Sequence, residues 1–405
     1  MIDQTAIINA QVVGPKGIVL IKADTIIGTG LEKVPEDTTI IDAKGAWLAP
    51  GIVDLGVFAV DKSACIAGGI TRVALMPDQR PVLDEPGIVQ RAALAAKPDL
   101  WVHPIAAATR GLAGQELGEY AMMRRTGARA VATGRGWVAD SGVMFKILTY
   151  AASLDLTVIS HAEDGGLCRH AVATWGETST RQGLASAPAE AEAIAIARDI
   201  MLAELSGARL HFRQVTTAAG FALVRTAKAK GLRITCGITP AHLFLSDIAM
   251  SNFRTYARLS PPLRSEDDRK AAIEAVGDGT VDILCSGHDP LGPEAKRLPF
   301  ADAEPGAAGA ETLLPLGLGL VRDGVIDLER LFEMLSAVPS RLLGVPSGVI
   351  NTGAPADFVL FDSDKPWIVG AESFAGFAHN TPFDRLPVQG RALLTIKGGR
   401  VLGTK

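Results

Sequence analysis

The feature that most constrains the fold is a series of eight short apolar runs, rich in β-branched residues, in the middle of the chain. They occupy residues 51–55, 71–75, 101–107, 128–133, 157–161, 209–215, 233–238 and 281–286. Helical periodicity fills most of the intervals, most clearly at 116–126, 143–153, 190–205, 218–230 and 267–276. Eight strand–helix units predict a (β/α)8 barrel, in which the functional groups lie at the carboxyl ends of the strands.

A doubly wound open sheet is the structural alternative, but no glycine-rich phosphate loop follows the first predicted strand. Both ends of the chain show short apolar runs separated by turns, which favours small antiparallel strands. We therefore expect an α/β fold in two parts. Residues 51–345 form the barrel, and residues 1–50 together with 346–405 form a composite β domain.

Composition narrows the class of protein. The chain has 405 residues, is 48% hydrophobic and carries a net charge of −4 with a pI of about 6.0. This balance favours neither a nucleic-acid nor an anionic-membrane partner. The cysteines at 65, 168, 236 and 285 form no C-x-x-C pair, the first residues lack a signal-peptide pattern, and no apolar run is long enough to span a bilayer. We expect a cytoplasmic protein.

The predicted strand ends offer few groups for catalysis. Asp140 and His161 are two side chains that could ligate a metal, but a catalytic zinc usually takes three protein ligands and a water. Ordinary hydrogen bonding in a polar barrel mouth explains the pair equally simply. His288 and Asp289 could act as a general base pair, although adjacent strand residues point to opposite faces. Loop hydrogen bonding is the simpler interpretation of both.

Several segments together resemble the dihydroorotase family of the amidohydrolase superfamily over nearly the whole chain. They are AGGITRVALMP at 67–77, PVLD at 81–84, GLAGQEL at 111–117, SHAED at 160–164, TPAHL at 239–243, SPPLRS at 260–265, GAET at 309–312, GAPAD at 353–357 and NTPF at 380–383. The resemblance implies a TIM barrel of the amidohydrolase type with a composite β domain. It also implies a metal-dependent hydrolase site at the barrel mouth.

The resemblance places the family's functional positions on residues of this chain. Its first two histidine ligands fall on Gly56 and Phe58, and its substrate-binding arginine and asparagine fall on Val60 and Asp78. The bridging acid and the strand-five histidine are retained as Asp140 and His161. The strand-six histidine becomes Gln214, and the strand-eight aspartate, a ligand and general acid/base, becomes Gly287. Four of the six metal-site positions are therefore replaced.

Three functions follow as hypotheses. The first is a non-catalytic homologue in pyrimidine biosynthesis, without a cofactor, that acts as assembly partner of aspartate carbamoyltransferase in a homodimer or larger hetero-oligomer; the family resemblance implies this partner. The second is an active dihydroorotase or other cyclic-amide hydrolase with a single zinc ion on Asp140 and His161. The third is a small-molecule sensor that uses the barrel mouth, with Arg110, Arg135 and Arg264 as anion contacts.

Overall fold

A computed structural model describes residues 4–403 as strands and helices that alternate along the chain. The strands are β1 Gln4–Ile8, β2 Gln11–Val12, β3 Ile18–Lys22, β4 Thr25–Leu31, β5 Thr38–Asp42, β6 Trp47–Pro50, β7 Ile52–Val57, β8 Ile70–Leu75, β9 Trp101–Pro104, β10 Ala106–Ala107, β11 Val131–Ala132, β12 Thr157–Ser160, β13 Ala173–Thr174, β14 Ser186–Ala187, β15 Arg209–Phe212, β16 Ile234–Ile238, β17 Ile283–Leu284, β18 Phe358–Ile368, β19 Pro387–Lys397 and β20 Arg400–Gly403.

The α-helices are α1 Lys62–Ala67, α2 Pro86–Leu94, α3 Tyr120–Arg125, α4 Ser141–Ser153, α5 Glu177–Gln182, α6 Glu190–Ser206, α7 Ala218–Ala229, α8 Pro240–Phe244, α9 Glu266–Gly277, α10 Pro293–Lys296, α11 Leu313–Arg322, α12 Leu328–Phe332 and α13 Val338–Leu343. Short 3₁₀ turns lie at Arg110–Leu112, Asp247–Phe253 and Thr255–Ala257, and a π-helical turn at Glu333–Ala337 joins α12 to α13.

The central strands form a parallel barrel. β7, β8 and β9 pair in order, as do β10, β11, β12, β15, β16 and β17. The two sheets join where the amide of Ile105 donates to the carbonyl of Leu75, and the ring closes where the amide of Phe58 donates to the carbonyl of His288 at 2.8 Å. The predicted (β/α)8 barrel is confirmed. The predicted third strand is interrupted at Ile105, between β9 and β10.

The two ends of the chain meet in a pair of sheets. One sheet has the order β4-β3-β1-β5, and the other has the order β2-β6-β18-β19-β20. Apolar side chains of both sheets pack in one cluster that includes Ile7, Ile21, Leu48 and Phe358. The ends of the chain are therefore β-rich and packed together, as predicted; the exact boundaries at 50 and 346 stay a prediction.

Helix boundaries follow the local chemistry of the sequence. The hydroxyl of Ser265 accepts a hydrogen bond from the Asp268 amide at the start of α9, the cap expected from the acidic run that follows it. The helix predicted from residue 116 begins only at Tyr120. Gly118 lies so close to β10 that a Cβ there would stand 2.8 Å from the carbonyl oxygen of Ala107, which keeps the preceding segment extended against the strand.

Candidate functional site

The carboxyl ends of the barrel strands surround two adjoining cavities. The inner cavity, of about 40 Å³, lies between Phe58, Arg213 and Gln214, and the outer one, of about 230 Å³, lies between His161, Glu163 and Arg169. Arg135 borders both cavities. The inner cavity has room for little more than one or two water molecules, because side chains occupy most of the barrel mouth.

Arg213, which directly follows β15, fills the space beside the first strand. A Cβ built on Gly56 would stand 3.7 Å from both Cγ and Cδ of Arg213. Gly56 also has a φ of +93°, a conformation that residues with side chains rarely adopt. A longer side chain at position 56 would therefore require both a different backbone and a different placement of Arg213.

Phe58 is covered by two guanidinium groups. The guanidinium carbon of Arg135 lies 3.7 Å from the ring centroid, and that of Arg213 lies 5.1 Å from it. Arg135 also forms an ion pair with Asp289 at 2.8 Å. Cation–π contacts of this kind are attractive when partly desolvated. The ring of Phe58 thus helps to keep two positively charged guanidinium groups in the barrel mouth.

His161 is engaged through both ring nitrogens. Its Nδ1 lies 3.1 Å from Nη2 of Arg213, and its Nε2 lies 3.3 Å from a carboxylate oxygen of Glu163. Because a guanidinium can only donate, Nδ1 is the acceptor and the proton lies on Nε2, which donates to Glu163. A metal could not bind either nitrogen without displacing one of these partners.

Glu163 belongs to a buried ionic network. It accepts a hydrogen bond from Arg264 at 2.7 Å, and Arg264 lies 3.6 Å from Glu192. Burial favours the neutral acid, but the hydrogen bond from His161 and the charge of Arg264 outweigh it and lower the pKa of Glu163 to about 2. Glu192 in turn accepts from the amides of Thr216 and Thr217. The network holds the segment after β15 in place.

Asp140 takes a structural role at the edge of the mouth. It is exposed, and its Oδ1 accepts a hydrogen bond from the Val143 amide at 2.9 Å as the N-cap of α4. Within residues 4–403, no hydrogen bond or ion pair joins Asp140 to His161, and Asp140 lines neither cavity of the mouth. The structure does not bring the two candidate ligands into one engaged pair.

The other predicted positions carry out hydrogen bonding within the loops. Gln214 donates to the Thr239 hydroxyl at 3.3 Å. Gly287 has no side chain and a φ of +58°. Nδ1 of His288 accepts from the amides of residues 309 and 310, and burial lowers the pKa of His288 to about 4. The simpler interpretation of His288 and Asp289 therefore fits their contacts, since one is bonded to a loop and the other to Arg135.

Comparison with known proteins places this geometry in a family. A family model described as Dihydro-orotase-like matches residues 47–219. A dihydroorotase of Syntrophus aciditrophicus is 35% identical over 390 residues, which cover 93% of this chain and 92% of the relative. The chain belongs to the dihydroorotase family. A dihydroorotase-like protein of Pseudomonas aeruginosa is 39% identical over 379 residues, 89% of this chain and 88% of the relative.

Solved structures agree with the family fold. L-hydantoinase (dihydropyrimidinase) from Arthrobacter aurescens superposes with a TM-score of 0.87 at 25% identity, over 100% of this chain and 97% of that one. Dihydropyrimidinase from Brevibacillus agri has a TM-score of 0.85 at 21% identity, over 99% of this chain and 95% of that one. The amidohydrolase barrel predicted from sequence is confirmed.

The sequence predicted no cofactor, and this prediction is wrong. The chain belongs to the dihydroorotase family, and dihydroorotases and hydantoinases are metal-dependent amidohydrolases. That expectation rested only on replaced side chains, and such replacements do not exclude a metal held by fewer or by different groups. The family's ligand set itself does not fit this mouth. In the described part of the chain, no three His, Cys, Asp or Glu side chains converge as a metal site.

The three arginines predicted as anion contacts lie in different surroundings. Arg110 is exposed and faces Glu116 and Glu119 across 3.9 and 4.0 Å. Arg264 is buried and neutralised by its acidic partners. Of the three, Arg135 lines the mouth.

Sequence reasoning missed Arg213, whose side chain packs beside Gly56 and contacts Phe58 and His161 in the barrel mouth. The signal was its place next to Gln214, at the end of a barrel strand where the family has a histidine. Glu163 was quoted within a motif but not assigned a role. Over residues 4–403, no helix has the length and apolar character needed to cross a membrane.

Proposed function

We propose that this member of the dihydroorotase family does not interconvert dihydroorotate and carbamoyl aspartate, and that it serves as an assembly partner of aspartate carbamoyltransferase. The observation that carries the proposal is the position of Arg213. Its side chain fills the space beside Gly56, where the family has its first histidine ligand, and its guanidinium bonds the retained His161.

Ring opening of a cyclic amide needs an activated water, a polarised carbonyl and a proton donor for the leaving nitrogen. A general acid/base contributes about 10²–10⁴ in rate, and here its family position is Gly287, which has no side chain. A guanidinium cannot generate hydroxide, because it does not give up its proton near neutral pH. The residues of the mouth could thus hold an anionic ligand, but they do not supply the acid/base chemistry of ring opening.

A scaffold also needs a surface for its partner. On the outer face of α6, Ile194, Met201 and Leu205 are exposed at spacings of seven and four residues, so they lie in one apolar stripe. Met201 is 70% and Leu205 72% exposed, and adjoining exposed apolar side chains of this kind often mark a contact between proteins. We propose this α6 stripe as the contact with the transferase.

A second function, binding of a small anion at the mouth without turnover, is favoured by one feature. Arg213 is buried, its Nε has no hydrogen-bond partner, and it takes part in no ion pair within residues 4–403. The buried Nε of Arg258 also lacks a partner. Such cations suit a carboxylate. Formate, a carboxylate small enough for the inner cavity, would then stabilise the wild-type chain but not Arg213→Met.

Co-elution tests the scaffold function. The chain is mixed with aspartate carbamoyltransferase from the same organism and separated by size-exclusion chromatography, with bovine serum albumin in place of the transferase as the control. We expect a stoichiometric complex with the transferase alone. Separate elution of the two proteins at micromolar concentration would contradict the assembly role, whatever the outcome of activity assays.

A further inference from the structure

The end of the barrel opposite the mouth contains a further cavity, which the proposed function does not use. It measures about 350 Å³ and lies where β8 and β9 begin and where β18 and β19 of the β domain approach them. Arg72, Trp101, Asp357, Lys397 and Arg400 are among its lining residues. Side chains from the barrel and from the β domain therefore build it jointly.

Two buried cations share a single carboxylate there. Asp357 accepts from Nε of Arg72 at 3.0 Å and from Nζ of Lys397 at 2.8 Å, and also from the Gly398 amide at 2.9 Å. Arg72 is 1% and Lys397 3% exposed. One negative charge thus faces two positive charges that are shielded from water. A buried net charge is costly unless a counter-ion compensates it.

Three cationic side chains lie against the ring of Trp101. The ring centroid lies 4.5 Å from the guanidinium carbon of Arg72, 4.4 Å from Nζ of Lys397 and 4.9 Å from Nζ of Lys97. Of the remaining charged lining residues, Arg400 pairs with Asp99 at 3.1 Å, outside the lining, and Asp24 adds one carboxylate. The charges of the lining residues are then balanced, and Lys97, which lies against Trp101 but outside the lining, adds one positive charge.

Two buried polar atoms next to this cluster lack partners. They are Nη1 of Arg72 and Nε2 of His103. His103 lies two residues beyond Trp101 on β9. Burial, followed by the charges of Arg72 and other nearby cations, lowers the pKa of His103 to about 3. The imidazole is therefore neutral, as expected in a strongly positive field.

We propose that this cavity is a binding site for a small oxyanion, with a carboxylate or phosphate group held against Arg72 and Lys397. Asp357 takes the Nε and Nη2 donors of Arg72, which leaves the buried Nη1 as the one nitrogen without a partner, and an oxygen of a carboxylate or phosphate can accept from it. The anion balances the buried charge and links the barrel to the β domain. This inference does not depend on whether the mouth is catalytic.

Calorimetric titration of the full chain with inorganic phosphate, and separately with succinate, tests the proposal and distinguishes the two anion classes. Sodium chloride at matched ionic strength is the blank. We expect saturable binding of at least one probe, and a rise in Tm of about 2 °C at about tenfold excess over Kd. The variants are Arg72→Gln, which removes the free donor, and Lys97→Gln, which removes a peripheral cation without disturbing the buried pair.

Arg385→Gln is the matched control, because Arg385 is 92% exposed and its ion-pair partner is the neighbouring Asp384. The proposal predicts affinity lost in Arg72→Gln, reduced about threefold or more in Lys97→Gln, and unchanged in Arg385→Gln. If Arg72→Gln does not fold, Lys97→Gln decides. No saturable binding of either probe, equal affinity in Lys97→Gln and wild type, or loss of binding in Arg213→Met instead would overturn it.

Discussion

The Cγ and Cδ atoms of Arg213 lie 3.7 Å from the position that a Cβ on Gly56 would take, so these two residues are packed against each other across the barrel mouth. The glycine provides the space and the arginine uses it. The guanidinium then reaches Nδ1 of His161 and the ring of Phe58. A single arginine thereby occupies the region around three positions at which the family resemblance implies metal ligands.

Two buried arginines of the mouth should respond differently to replacement by methionine. Arg264→Met strands Glu163 and Glu192 without their cation and should cost about 3–5 kcal/mol of unfolding free energy. Arg213→Met removes a cation that has no carboxylate partner and should change stability by less than about 1 kcal/mol. Urea unfolding of both variants measures the difference. Equal costs would contradict the view that Arg213, unlike Arg264, has no carboxylate partner.

Glu163 should make the fold sensitive to acid. Its folded pKa, about 2, lies below the ordinary value of 4.5, so its contribution is complete above about pH 4.5 and is lost as the pH falls toward 2. Glu163→Gln should therefore flatten the decline in unfolding free energy below about pH 4.5, by on the order of 2–3 kcal/mol in total. The exposed Glu177→Gln is the control and should keep the wild-type slope; identical slopes in all three proteins would refute the prediction.

Asp54 should change the pH dependence of stability in the direction opposite to Glu163. Burial raises its pKa to about 6, despite hydrogen bonds from the Ser286 amide and hydroxyl. The folded state thus holds the proton more tightly than the unfolded state, and stability falls as the pH rises from about 4 to about 6. Ser286→Ala should extend that fall above pH 6 and cost about 1–3 kcal/mol at pH 8. Thr149→Ala, which removes an exposed helix hydroxyl, should leave the pH dependence unchanged.

The α6 stripe should govern association. Met201→Glu places a charge at the centre of the proposed contact and should prevent association with the transferase. Ile368→Glu, at a residue that is 64% exposed on β18, is the matched control and should leave association intact. Sedimentation velocity of each variant mixed with the transferase measures the complex. Unchanged association in Met201→Glu would remove α6 from the interface.

The barrel could be predicted because its signals are local: apolar runs of strand length and helical periodicity between them. The composition of the site was predictable to the extent that positions such as Gly56 and Phe58 lie in recognisable segments. Its geometry was not. Arg213 comes from the sixth strand position and fills space beside the first, and no pattern within either segment specifies that contact across the barrel.

Asp140 is a second residue whose structural role could not be predicted from its place in the sequence. Its place in the family pattern suggested a ligand, whereas its hydrogen bond to Val143 at the start of α4 is a helix cap that many aspartates form. The cavity beside Arg72 was also missed, because its lining comes from positions as far apart as Trp101 and Lys397.

The most direct test of the central claim is an assay of dihydroorotate formation and hydrolysis by the folded chain with zinc supplied. We expect no turnover above the uncatalysed rate, and none gained by Arg213→Met alone, because Gly287 provides no acid/base group. Turnover by the wild-type chain that disappears in Asp140→Ala or His161→Ala would contradict this expectation. Those two residues would then form an active site with a single zinc ion, and the chain would be a working hydrolase.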